Sequence, residues 1–189
     1  MYTKSLFDQF IIAKDNILQG ILSQSAWSML LICLWRKRIF KKSIVNIFLP
    51  EYFCNSSLLP LRIFKFNIIF YKIDKDQLPN KEDLNRLFKS TKPDILIISN
   101  FFKKKVYDTY YKDLCLDNDC WLVEDSAHVL EYKKKDFLAD FYFFSPHKIL
   151  SIPMGSILLI NKDGPSKINF EKFQFMCHVT SWPEHILSE

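Results

Sequence analysis

Glycine is nearly missing from this chain: three residues in 189, Gly20, Gly155 and Gly164. That scarcity argues against a generic α/β nucleotide-binding module, because no early strand is followed by the Gly-rich loop whose backbone N–H groups close around a phosphate. Metal-binding patterns are missing too. The five cysteines (Cys33, Cys54, Cys115, Cys120, Cys177) form no CxxC pair and no ligand spacing with the four histidines, so they read as reduced, mostly buried thiols. No uninterrupted apolar run approaches the roughly 18–20 residues needed to span a bilayer. The nearest, Ala26 to Trp35, is closed by Arg36, Lys37 and Arg38 and fits a buried helix. No charged start leads into an apolar leader, which gives a cytoplasmic protein as the expectation. Internal repeats and low-complexity linkers are also lacking.

What remains is a chain that can fill one substantial core: 49% of its residues are hydrophobic and 16% aromatic. The net charge of +5 comes from 26 Lys+Arg against 21 Asp+Glu. Its basic residues fall in short runs, Arg36 to Arg38, Lys41-Lys42, Lys103 to Lys105 and Lys133 to Lys135. No helix or Gly-aromatic motif aligns these runs, so they read as solvated loops and not as a nucleic-acid surface.

Taken in order, Leu6, Phe7, Phe10, Ile11, Ile12, Ile17 and Leu18 have loosely helical spacing, which makes residues 1–22 an N-terminal helical segment. Ser23, Gln24 and Ser25 stand where the helix over Ala26 to Trp35 would be capped. Strands follow at Ile44 to Leu49, Ile68 to Ile73, Ile95 to Ser99, Trp121 to Val123, Phe141 to Phe144 and Ser156 to Ile160, the last a hairpin-like return. Helices fall near Leu58 to Phe64, Pro79 to Phe88 with Asn80 as cap, and Val106 to Leu116. Strands alternating with helices predict an α/β fold with a mainly parallel sheet flanked by helices. Residues 23–165 form its domain, and 166–189 are a C-terminal extension without a confident pattern.

The chemistry collects between Trp121 and Ile160. Two apolar runs end in polar groups, Glu124-Asp125 and Ser145-Pro146-His147-Lys148. In an open α/β sheet, ligands bind beyond the carboxyl ends of the strands, so both groups face one candidate pocket. A carboxylate at the end of a buried strand stays ionised only opposite a cation, and a protonated pyridine nitrogen would serve for Asp125. Partial desolvation would lower the pKa of Lys148 and make its amine a nucleophile towards an aldehyde. Hydroxyls and a helix N-terminus at Ser23, Gln24 and Ser25 suit a phosphate. The combination points to pyridoxal phosphate, with Lys148 as Schiff-base lysine. Taken alone, the same spacing is also that of a surface ion pair, the hydroxyls that of simple capping, and His128 that of a structural histidine.

EDSAH (Glu124 to His128) followed by DFYFFSPHKILSIPMGSILL (Asp140 to Leu159) resembles the DegT/DnrJ-type sugar aminotransferases, in the fold-type I group of pyridoxal-phosphate enzymes. The likeness runs from about Ser23 to about Asp163, with support from LPEYFCNSSLLPL (Leu49 to Leu61), FYKIDKDQLPNKEDL (Phe70 to Leu84) and KPDILIISNFF (Lys92 to Phe102). The resemblance implies the large domain of that fold. It implies Lys148 as the catalytic lysine, Asp125 as partner of the pyridinium nitrogen and His128 on the oxygen side of the ring. Ser145 would bind phosphate with Ser23, Gln24 and Ser25, and Tyr52 or Phe53 would stack on the ring. Implied further are an amino donor such as glutamate, a keto-sugar acceptor in nucleotide-sugar or surface polysaccharide (lipopolysaccharide) biosynthesis, and a homodimer or a complementing subunit. The alternative is a truncated or degenerate homologue, without catalysis, that acts as a binding or dimerisation module. Three positions depart from the family pattern: Ser23, Lys103 and Ser156 stand where glycines are usual. The closing small domain that relatives carry has no counterpart up to Glu189.

Overall fold

Five strands in the middle of the chain are rich in Ile, Leu, Val and Phe, and four of them are buried almost throughout: Asn46–Pro50, Ile95–Ser99, Trp121–Asp125 and Phe141–Phe144. Strands without a polar face need cover on both sides, which is the environment of a parallel sheet flanked by helices. A computed structural model has that architecture; it describes residues 11–13, 17–100, 109–129 and 138–166. The elements are β1 (Ile11–Ala13), β2 (Ile17–Leu22), α1 (Ser25–Ile39), β3 (Asn46–Pro50), α2 (Leu59–Ile63), β4 (Asn67–Tyr71), α3 (Lys81–Ser90), β5 (Ile95–Ser99), α4 (Thr109–Asp117), β6 (Trp121–Asp125), β7 (Phe141–Phe144) and β8 (Ser156–Asn161). Short 3₁₀ turns cover Asn55–Leu58 and Pro146–Lys148.

The sheet has eight strands in the order β1-β2-β8-β7-β6-β5-β3-β4. Neighbours from β7 to β4 pair in parallel, and β8 is antiparallel to both β7 and β2. β2 therefore points the same way as the parallel set. The chain passes from β3 outward to β4 and then back across β3 to β5, so the topological switch lies between β3 and β5. That is where open α/β sheets leave a crevice.

Each face has its own core. α1 places Met29, Leu30, Ile32 and Trp35 against Ile47, Ile97, Val123, Phe141 and Leu158. On the other face Leu84, Leu87 and Phe88 of α3 and Tyr111 and Cys115 of α4 meet Phe48, Leu96, Leu122 and Tyr142. α3 is amphipathic and begins at the expected cap, where Asn80 Oδ1 accepts a bond from the Asp83 N–H at 2.9 Å. α1 is apolar nearly all round, and none of the described helices is long and apolar enough to cross a membrane. Cys33, Cys115 and Cys120 are free and buried, whereas Cys54 is free and exposed; Cys177 lies outside the described residues.

Two expectations are corrected. The segment over residues 3–19 is not helical where it is described: Ile11–Ala13 and Ile17–Leu22 are strands. β2 pairs with all six residues of β8, from Ile17↔Asn161 to Leu22↔Ser156, and such non-local pairing outweighs a weak helical spacing. Arg36 is the second: it is not in a solvated run but fully buried, stacked 3.8 Å over the Phe40 ring, with Asp94 3.5 Å and Asp119 3.3 Å away. Lys42 also reaches Asp94, at 2.5 Å. The runs Lys103 to Lys105 and Lys133 to Lys135, like the departure at Lys103, lie outside the described residues, as does the extension from residue 167 on.

Candidate active site

Strand parity decides which polar residues meet. Side chains alternate between the faces of a strand, so every second residue shares a face. Ile95 and Ile97 of β5, Trp121 and Val123 of β6, Phe141 and Phe143 of β7, and Leu158 and Ile160 of β8 all belong to the core under α1. The same step places Ser99, Asp125, Ser145 and Ser156 on the α1 face at the carboxyl edge of the parallel strands. Pairing agrees, since Ser99 lies opposite Asp125. The β7–β8 register, carried one residue past Phe144↔Ile157, sets Ser145 beside Ser156.

Asp125 is the electrostatic centre of this edge. Burial pushes its carboxyl up to about 6; the Ala127 N–H, 3.0 Å from Oδ1, and the Lys148 ammonium pull it back. Tyr52, just beyond β3, crosses the switch point to Ser99. Its phenol is pushed up to about 12 by burial first, with the nearby Asp125 charge adding to the shift and the Ser99 hydrogen bond opposing it. Phe53 instead packs against the core under α1. Of the two aromatics expected to cover the ring, Tyr52 is therefore the one beside Asp125.

Ser145 is fully buried, and its Oγ has no hydrogen-bond partner among the described residues. A buried hydroxyl without a partner is costly, and such a group at a strand end calls for a ligand or water. Near it, Ser28 in the first turn of α1 shares a 2.9 Å hydrogen bond with Ser156. The Ser156 that stands where a glycine is usual thus ties β8 to the start of α1. Gln24 is the N-cap of α1 and makes no side-chain cap bond, and no acidic residue stands in the first turn. The start of the helix keeps N–H donors and the positive end of its dipole for an anion. Ser23 and Gln24 are exposed there, and Ser25 is half-buried.

Lys148 ends the 3₁₀ turn Pro146–Lys148, where its N–H donates to the Ser145 carbonyl at 2.9 Å. The Lys148 side chain is exposed, so the expected desolvation is not supplied by the described residues. His128 is half-buried; burial first, and then the charge of Lys148, lower its pKa. His147 Nδ1 donates to the Gly155 carbonyl at 2.9 Å and fixes the loop that follows. Gly155 has φ +151°, the positive value anticipated for it.

The structure thus brings Asp125, Lys148, His128 and Tyr52 into one electrostatic neighbourhood and sets Ser145 towards the α1 start. Sequence reasoning missed Ser99, which the β5–β6 register sets opposite Asp125. It also missed a polar group behind the edge: Glu124, 1% exposed, accepts bonds from Asn100 Nδ2 at 2.7 Å and from Ser126 Oγ. The sequence EDSAH showed these residues but not their partner, because Asn100 comes from another strand.

An aldehyde cofactor with a phosphate arm and a ring nitrogen fits these donors. The unpartnered Ser145 hydroxyl and the uncapped α1 start match the phosphate, the half-buried Asp125 carboxylate matches a ring cation, and Lys148 supplies an exposed primary amino group.

No family model matches the chain, and no curated protein does. Solved structures do. A sphingosine-1-phosphate lyase of Burkholderia pseudomallei is 16% identical, with TM-score 0.59 over 77% of this chain and 38% of that one. An archaeal O-phosphoseryl-tRNA(Sec) selenium transferase is 20% identical, with TM-score 0.60 over 79% and 38%. The Helicobacter pylori aminotransferase PseC, involved in the biosynthesis of pseudoaminic acid, is 21% identical, with TM-score 0.59 over 77% and 40%. The chain spans about two fifths of the length of these structures. At such identities the likeness establishes the fold, the mainly parallel α/β sheet of the large domain of fold-type I pyridoxal-phosphate enzymes.

Proposed function

We propose that the carboxyl edge of this sheet binds pyridoxal phosphate through Lys148, and that the chain is the cofactor-binding part of an aminotransferase-like protein of the DegT/DnrJ type. The observation that carries this reading is the shared edge: the enclosed Asp125, the neighbouring Lys148 charge, and the unpartnered Ser145 hydroxyl towards the start of α1. Bound there, the cofactor would supply a carbonyl to condense with amines and a ring to accept electrons.

The chain's own groups then have distinct tasks. Asp125 holds a proton on the ring nitrogen, because an enclosed carboxylate favours a cation against it. The α1 start, with Ser23, Gln24, Ser25 and Ser145, holds the phosphate. Tyr52 limits water over Asp125, and His128, kept largely neutral at pH 7, orients the oxygen side of the ring. Lys148 Nζ would hold the cofactor's carbonyl and, when not so engaged, would serve as the base and acid for the proton at the donor's α-carbon. Its exposure leaves room for two substrates in turn.

The amino donor is an amino acid such as glutamate and the acceptor a keto-sugar, as in nucleotide-sugar or surface polysaccharide biosynthesis. A second copy or a complementing subunit completes the substrate side. The matched PseC aminotransferase, of pseudoaminic acid biosynthesis, supports the sugar class by analogy of fold. The exposure of Lys148 favours a second reading, a homologue that binds the cofactor without turnover.

Single-turnover chemistry separates the two. Mixed with pyridoxal phosphate and L-glutamate, the wild-type protein should release one equivalent of 2-oxoglutarate per bound cofactor, and Lys148→Ala none. Bound cofactor with no oxo acid would reject the aminotransferase reading in favour of the binding module.

A further inference from the structure

Asp125 lies between two residues whose side chains are tied together behind it. Ser126, fully buried, donates through Oγ to Glu124 Oε1, and the Asn100 amide donates to the same oxygen at 2.7 Å. The backbone is locked at the same points. Asn100 N–H donates to the Asp125 carbonyl at 2.8 Å, and Ser126 N–H donates to the Phe143 carbonyl at 2.9 Å. Glu124 thus joins the residue after β5 to the residue after β6, and the main-chain bonds tie the first to β6 and the second to β7. By strand alternation the Glu124 carboxylate lies on the face opposite to Asp125, so it reaches the site only through the backbone.

The energetic stakes of such a buried group are high. A buried carboxylate that accepts two side-chain bonds rigidifies what it holds, and it becomes a liability if either donor leaves. Asp125 depends on the same turn, because its Oδ1 is held by the Ala127 N–H two residues on. Resting on the functional reading above, we propose that Glu124 is a positioning residue: through Asn100 and Ser126 it fixes the end of β6, and so sets the enclosure and aim of the Asp125 carboxylate towards the ring nitrogen. The charged and titratable groups that face Asp125 from neighbouring elements are Lys148 from the turn after β7, Tyr52 from beyond β3 and Tyr71 from β4. Lys148 and Tyr52 stand away from the Glu124 face, whereas Tyr71 packs with Leu122 and Tyr142 in the core on that face.

The test reads Asp125 in cofactor-free protein, by ¹³C NMR titration of its carboxyl, assigned with Asp125→Asn. Wild type should titrate near 6. Glu124→Leu removes the acceptor and frees Asn100 and Ser126; the strand end then loosens and water reaches Asp125, whose midpoint should fall by roughly one unit or more, since burial is the main cause of its position. Glu124→Gln keeps an acceptor oxygen without charge and should hold the midpoint within a few tenths of a unit of wild type, on the order of the spread expected when only a distant charge changes. Equal shifts in both variants would make the effect one of charge and overturn the proposal, as would an unchanged or raised midpoint in Glu124→Leu. Should Glu124→Leu fail to fold, Ser126→Ala and Asn100→Ala each remove one arm and should each lower the midpoint by part of that amount; no shift in either would overturn the proposal. The titration needs no cofactor, so it stands or falls independently of whether pyridoxal phosphate binds.

Discussion

Two aspartates at opposite edges of the sheet, Asp140 buried and Asp125 half-buried, share one pKa and almost nothing else. Asp125 ends β6 at the carboxyl edge and Asp140 precedes β7 at the amino edge, and burial pushes each up to about 6. Asp140 is saturated by its own chain: Oδ2 accepts the Leu122 N–H at 2.9 Å, and Oδ1 accepts the Ser166 N–H at 2.9 Å and the Ser166 hydroxyl at 2.6 Å. Asp125 has the Ala127 N–H and otherwise faces Lys148 and the crevice. The same desolvation therefore marks a structural clamp at one edge and a candidate ligand site at the other. What separates them is how completely the protein answers the charge.

The same substitution should expose that difference. Asp140→Ala strands three donors in the interior and should lower stability by about 3–5 kcal/mol, read from urea unfolding at pH 7. Asp125→Ala strands one donor and removes a charge that Lys148 only partly compensates, so the folded protein should lose less than about 1 kcal/mol, or gain. Equal losses at both sites would break the comparison.

The pH dependence sharpens it. A raised carboxyl pKa means the folded chain keeps its proton after the unfolded chain has lost it at about 4. The stability contributed by that proton is fully present below pH about 4 and is lost as pH rises through about 6. Each aspartate should account for up to about 2–3 kcal/mol of that fall. Asp125→Asn should remove close to half of the decline between pH 4 and 7, and added pyridoxal phosphate should remove the same part in wild type by supplying a cation.

Smaller effects separate the two edges again. A methyl group at Gly164 would meet Asp140 Oδ1 at 2.5 Å and its Cα at 2.8 Å, so Gly164→Ala should cost about 1–3 kcal/mol by pushing the clamp apart. At Gly155 the nearest atom is 3.9 Å away, and only φ +151° resists a side chain, so Gly155→Ala should cost about 1 kcal/mol. Thermal unfolding of the pair would rank them. Smallest is Ser145→Ala, which removes a buried hydroxyl without a partner and should leave stability within about 1 kcal/mol while weakening cofactor phosphate binding about tenfold.

Much of this was legible in the sequence where local signals agree with the fold. Ile95 to Ser99 and Phe141 to Phe144 are apolar runs of strand length, and Asn80 has a cap's place before an amphipathic helix; all three stand as expected. The first strands were not legible, because Ile11, Ile12, Ile17 and Leu18 satisfy a loose helical spacing, and only pairing makes them strands, of β2 with β8 some 140 residues away and of β1 with β2. The burial of Arg36 is hidden from the sequence for a related reason: the carboxylates beside it, Asp94 and Asp119, come from distant segments. At the candidate site the sequence showed Asp125 and Lys148, since strand-end polar residues stand out against apolar runs. It could not show Ser99, Ser28 or the Asn100 to Glu124 bond, which exist only once β5, β6, β8 and α1 are side by side.

The central claim is that Lys148 and Asp125 form one cofactor edge. Its most direct test is to incubate the protein with pyridoxal phosphate, record the visible spectrum, reduce with borohydride and map the modified peptide. The expected result is a visible band that reduction bleaches, with the label on Lys148 alone and absent from Lys148→Ala. A label spread over surface lysines, or a Lys148→Ala protein that behaves as wild type does, would contradict it.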